Sequence, residues 1–119
     1  MLLYEKETEI LIGCFYKVHN TLGFGFLEKV YENALAHELS KHFDVKVQHP
    51  IAVYYEDIPV GHYYADILIN NSILVELKAV ENLVLEHTGQ LLNYMKATNV
   101  KVGFLLNFGK SAKFKRLAL

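Results

Sequence analysis

One cysteine, almost no net charge and no long apolar run are what this 119-residue chain offers in place of the usual compositional signals. The lone Cys14 excludes an internal disulfide, and its apolar neighbours at helical spacing point to a buried core thiol rather than a nucleophile. The formal charge of -1 excludes a strongly basic nucleic-acid binder, because such proteins carry a high pI and clustered Lys and Arg, and here the pI is about 6.6. No apolar stretch is long enough to span a bilayer, and the opening Met1-Leu2-Leu3-Tyr4-Glu5-Lys6-Glu7 turns acidic before a signal-peptide core develops. A soluble, cytoplasmic protein without membrane partners is the expectation. Internal repeats, linkers and low-complexity segments are also missing, and the histidines at 19, 37, 42, 49 and 62 show no paired zinc-ligand spacing. The basic residues gathered late, Lys110, Lys113, Lys115 and Arg116, read as a solvated tail. The length suits one compact domain, 1–119, with enough chain to bury a core unaided.

Periodicity divides the chain. Ile10, Leu11, Cys14, Phe15, Val18 and Leu22 recur every three or four residues and predict a helix over about 4–21, with Glu5, Glu7 and Glu9 at its dipole-favoured start and Gly23 as its stop. After a hinge at Phe24-Gly25-Phe26, a second helix is predicted over about 27–42, burying Leu27, Val30, Tyr31, Ala34, Leu35 and Leu39. From Val45 the period becomes two. A strand to Tyr55, a turn at Glu56-Asp57 with Pro59, a strand through Tyr63 to Ile69 and a strand over 73–79 make a three-stranded meander. Asn70-Asn71-Ser72 is the signal for the second hairpin. A third helix follows Asn82 through Met95, and Val100 to Leu106 reads as a buried strand closed by Asn107-Phe108-Gly109.

Charges inside the predicted third strand need a reason. Glu76-Leu77-Lys78 follows the apolar Ile73-Leu74-Val75, and alternation puts Glu76 and Lys78 on one face. Asp66 interrupts the preceding strand. A two-residue Asn70-Asn71 turn would pair Ala65 with Glu76 and send Asp66 to the opposite face. A three-residue loop, Asn70-Asn71-Ser72, would pair Asp66 with Glu76 and gather both acids with Lys78. The functional reading therefore predicts the longer loop, or an equivalent bulge. Two hard carboxylates so placed suit Mg2+ or Mn2+ with open positions for water and a phosphate oxygen, and Lys78 would act on the water or on charge growing at phosphorus. The plain alternative is a Glu76–Lys78 ion pair at a sheet end, or an edge lysine that opposes aggregation.

Two further motifs flank this constellation. Gly25-Phe26-Leu27-Glu28-Lys29-Val30-Tyr31 has the pattern GxxExxY, and Gln90-Leu91-Leu92-Asn93-Tyr94 the pattern QxxxY. With Ala65-Asp66 and Glu76-Leu77-Lys78 they resemble, in order and over nearly the whole chain, the GxxExxY protein family, a branch of the PD-(D/E)XK nuclease-like superfamily. Ala65 stands where the superfamily's name has proline, a position without catalytic atoms. The resemblance implies an α/β (α+β) restriction-endonuclease-like core, a central mixed sheet of about four to five strands flanked by helices with an extra N-terminal helix. It implies Asp66 and Glu76 as metal-binding acids, Lys78 as the catalytic lysine, and Glu28 as an acid contributed by the first core helix. Gln90 and Tyr94 would support the site or touch the nucleic-acid backbone, with His87 on the same helical stripe. Tyr31 reads as core. The expected activity is phosphodiester hydrolysis in DNA or RNA, and the different-class reading is a noncatalytic nucleic-acid- or protein-binding module on the same fold. The large apolar and aromatic share makes a homodimer an expectation too.

Overall fold

The computed structural model describes residues 2–119. Eight elements follow one another: α1 (Glu5–Leu22), α2 (Glu28–Leu39), β1 (Val45–Tyr55), β2 (Ile58–Ile69), β3 (Ile73–Lys78), α3 (Leu85–Thr98), β4 (Val102–Phe108) and β5 (Ala112–Ala118). The strands form one sheet in the order β1-β2-β3-β4-β5, with β3 and β4 parallel and every other pair antiparallel. The parallel pair is joined by α3, as a crossover demands.

One face of the sheet packs against α1 and α2. Leu11, Phe15 and Val18 of α1 and Tyr31, Leu35 and Leu39 of α2 meet Ile67, Ile69, Val75, Leu77, Phe104 and Phe108. The other face carries α3, whose Leu91, Tyr94 and Met95 meet Leu68, Leu74 and Leu105. Alternation in β3 is thereby settled. Val75 and Leu77 enter the α1/α2 core and Leu74 the α3 core, so Glu76 and Lys78 belong to the α3 side. Gly103 lets α3 approach closely, since a Cβ there would stand 2.7 Å from Met95 Sδ.

The predicted elements all form, with corrections at their edges. α2 ends at Leu39 rather than His42, and its buried stripe excludes Leu27, which is 81% exposed, and Val30. The inward positions go to Tyr31, Glu32, Leu35 and Leu39 instead. The late basic residues are not a tail: Lys113, Lys115 and Arg116 lie in β5, which pairs along the whole of β4. Lysine-rich edge strands resist edge-to-edge association, which accounts for a basic run in that place. Cys14 is buried as expected, and burial, followed by the Glu38 charge, pushes its thiol pKa up. Among the described residues no helix is long and apolar enough to cross a membrane.

Gly23 and the tyrosine of the GxxExxY segment shape the α1–α2 connection. Gly23 caps α1 at φ +71°, a conformation that opposes other side chains. Tyr31 stacks on Phe108 with ring centroids 4.5 Å apart, donates its hydroxyl to Gly23 O at 2.7 Å and accepts from Phe26 N at 3.2 Å.

Candidate active site

The β2–β3 register meets the requirement set by the sequence. Ile69 pairs with Ile73, Leu68 with Leu74 and Ile67 with Val75, so the loop is the three-residue Asn70-Asn71-Ser72 and the next pair in register is Asp66 with Glu76. At that pair the ladder stops and the carboxylates replace it. Asp66 N donates to Glu76 Oε1 at 2.9 Å, and Leu77 N donates to Asp66 Oδ2 at 2.8 Å. Each acid thus satisfies a backbone N–H that the parting strands would have orphaned. Of the other carboxylate oxygens, Glu76 Oε2 makes no hydrogen bond among the described residues and Asp66 Oδ1 takes only a long one, from the Gln48 amide at 3.3 Å.

β1 breaks at the same level. Gln48, opposite Asp66, drops out of the ladder at φ +49°, while Val47 still pairs with Ile67 and His49 with Ala65. The interruption re-aims the hairpin: Ile67 packs toward α1 and α2, whereas Ala65 and Ile51 pack toward α3. It also frees the Gln48 amide, which donates to Asp66 Oδ1 at 3.3 Å and to Glu32 Oε1. Glu32, only 4% exposed and also paired with Lys29, is the acid that α2 brings nearest to this arrangement. The sequence reading missed both residues. Glu28, the acid it selected, lies one helical turn before Glu32 but is exposed and makes no hydrogen bond to Asp66 or Glu76. The available signal was that Glu32 follows Tyr31 directly and shares the inward stripe with Leu35 and Leu39.

Burial, then the Asp66 charge, raises the Glu76 pKa to about 8, and burial also raises that of Asp66, with Glu32 adding to the rise. Lys78, half-buried at the end of β3, opposes both shifts by its charge. It forms no salt bridge among the described residues, so the plain Glu76–Lys78 ion pair is not what the fold builds. Beyond Lys78 the strand end is clamped: buried Asn107 accepts from Val80 N at 3.0 Å and donates to Val80 O at 2.9 Å. Gly109 completes the clamp, because a Cβ there would come within 2.5 Å of Val80 O.

On α3, Gln90 donates to the Tyr94 hydroxyl at 3.0 Å, and the pKa of Tyr94 is raised by burial and then by the charge of Glu76. Tyr94 of the QxxxY pair is therefore within electrostatic reach of the carboxylates. His87 caps the helix start, its Nδ1 accepting from Val84 N at 3.1 Å, which leaves Nε2 to carry the ring proton. Among the described residues no three His, Cys, Asp or Glu side chains gather as a preformed metal cage. Two carboxylates suffice for Mg2+, which retains waters and binds through one or two acids plus substrate phosphate. The donor set fits: two hard oxygens in a buried place, with pKa values raised by burial and then by neighbouring carboxylate charge.

A sequence model described as the PD-(D/E)XK nuclease superfamily matches residues 5–117. The chain belongs to that superfamily. Solved structures agree at the level of fold. The crystal structure of SSO0001 superposes with a TM-score of 0.61 at 20% identity, covering 97% of this chain and 59% of that one. An alkaline exonuclease (LHK-Exo) from Laribacter hongkongensis superposes at 0.56 with 10% identity, covering 99% of this chain and 72% of that one. The chain thus spans under two thirds of SSO0001. No curated protein matches the sequence.

Proposed function

We propose that the protein is a divalent-metal-dependent nuclease of the GxxExxY branch, hydrolysing phosphodiester bonds in DNA or RNA. The observation that carries this reading is the parted β2–β3 ladder, where one oxygen of Asp66 and one of Glu76 are anchored on backbone N–H groups and Lys78, without a salt bridge among the described residues, follows on the same face of β3 as Glu76. Mg2+ or Mn2+ held by Asp66 and Glu76 would supply Lewis acidity toward the phosphate and a more acidic water. Lys78 orients the attacking water and stabilises negative charge on the phosphoryl oxygens as the bond to the leaving oxygen breaks. Glu28 and Gln90 support the site, Glu28 from the same stripe as Glu32. Tyr94 and the Nε2–H of His87 contact the strand.

The experiment is cleavage of a panel of labelled single-stranded, duplex and branched DNA and RNA with Mg2+ or Mn2+, comparing the native chain with Lys78→Ala. Metal-dependent cleavage that falls by at least a hundredfold in a variant of unchanged melting temperature supports the assignment. Silence on every substrate would favour the noncatalytic binding module. Exposed Tyr55, Ile58, Val60 and Tyr64 on the β1–β2 hairpin support a homodimer, which sedimentation would test.

A further inference from the structure

A cleft of about 900 Å3 lies between the β1–β2 hairpin and α3, beside the carboxylates rather than on them. Tyr54 and Tyr63 line it from the hairpin, Gln90, Asn93 and Tyr94 from the helix. Tyr63 is 48% exposed, and its ring centroid lies 5.6 Å from that of Tyr94. Tyr94 joins cleft to site, since the charges of Glu76 and Asp66 both act on its hydroxyl. Tyr63 precedes Asp66 by three residues of one strand, a separation of about 10 Å.

The lining carries one carboxylate, Glu86, and one ammonium, Lys96, so it has no net charge with which to hold phosphate. It has aromatic faces and primary amides, which stack on bases and hydrogen-bond their edges. Gly89 adds a separate observation. It sits inside α3, where glycine disfavours the helix, and lines the cleft, yet a Cβ there would meet nothing within 4 Å. Packing does not demand the glycine, and its effect is to leave the cleft open.

We propose that this cleft receives an unpaired nucleobase adjoining the scissile phosphate, so that the substrate is a single strand or a frayed end rather than closed duplex. The inference rests on the nuclease reading for the position of the phosphate and deepens it by naming the substrate class. A stacked, paired base cannot enter a cleft of this kind, and a chain of net charge -1 gains more from base contacts than from gripping a long backbone.

The test is fluorescence anisotropy in the Lys78→Ala background with Mn2+, using labelled single strands of about ten nucleotides, abasic strands of equal length, and duplex. The base-bearing strand should bind about tenfold tighter than either alternative, the order expected from one base–aromatic stack. Gly89→Leu, which fills the cleft with a better helix former, and Tyr63→Ala should each remove about that factor, with Gly89→Leu melting no lower than its parent. Equal binding of abasic and base-bearing strands, indifference to Gly89→Leu, or no binding at all would overturn the proposal. The two readings separate cleanly. Cleavage by the native chain without base dependence rejects the cleft and keeps the nuclease, whereas base-dependent binding without cleavage does the reverse.

Discussion

Single atoms decide the chemistry of this site. With its pKa near 8 against an ordinary 4.5, metal-free Glu76 keeps a proton that the unfolded chain surrenders. Its contribution to stability is whole below pH 4.5 and is lost as pH rises through 8, because above that the native state must hold a buried charge. The metal-free protein should therefore melt lower at pH 8.5 than at pH 5.5, and Glu76→Gln should flatten much of that difference in melting scans. An unchanged pH dependence in the variant would show that the carboxylate is not so confined. Tyr31 makes the contrasting case of a motif residue held by structure. Tyr31→Phe strands the Gly23 carbonyl and Phe26 N–H and should cost roughly 1–3 kcal/mol in denaturant unfolding, with metal affinity preserved. Asp66, Glu76 and Lys78 were legible because charge inside an apolar strand is conspicuous. Glu32 and Gln48 were not. One is an ordinary-looking helical acid, and the other matters only because β1 turns to positive φ opposite Asp66.

Among the elements, the Asn70-Asn71-Ser72 loop and the β3 terminus do most to create the site. Alternation in β2 and β3, together with the parity of the loop, was enough to state which register would join the acids, and the observed pairing is that one. What periodicity could not reveal was that the ladder ends at the acids, since splaying depends on side chains competing for backbone N–H groups. β5 escaped notice for a related reason. Its lysines hide the apolar alternation, and only its pairing with β4 makes it a strand. The Leu27 and Val30 errors arose from drawing the apolar stripe of α2 too wide when Glu32 occupies part of the inward face. The β3 terminus offers a test at this scale. Gly109→Ala would press a methyl against the Val80 carbonyl and loosen the Asn107 clamp two residues beyond Lys78. Cleavage should fall by tenfold or more while most of the melting temperature survives, a pattern that circular dichroism and a cleavage assay would read together.

For the whole molecule, superfamily membership and architecture follow from the sequence match and the mixed five-stranded sheet, with α1 added before the core. The near-neutral surface bears on how it meets nucleic acid. Few phosphates can be engaged by a chain with one net negative charge, so the logarithm of affinity for single strands should fall with the logarithm of salt at a slope of roughly -1 to -2, about 0.7 per phosphate. A slope several times steeper would mean a basic track that the composition does not suggest. Everything in the account depends on the paired carboxylates acting as a divalent-cation site. Calorimetric titration of Mn2+ into the native chain, Asp66→Asn and Glu76→Gln at pH 7 tests that directly. One saturable event, accompanied by proton release and abolished in both variants at unchanged fold, is the expected result. Binding that persists undiminished in the variants, or its absence from the native chain, would contradict the assignment.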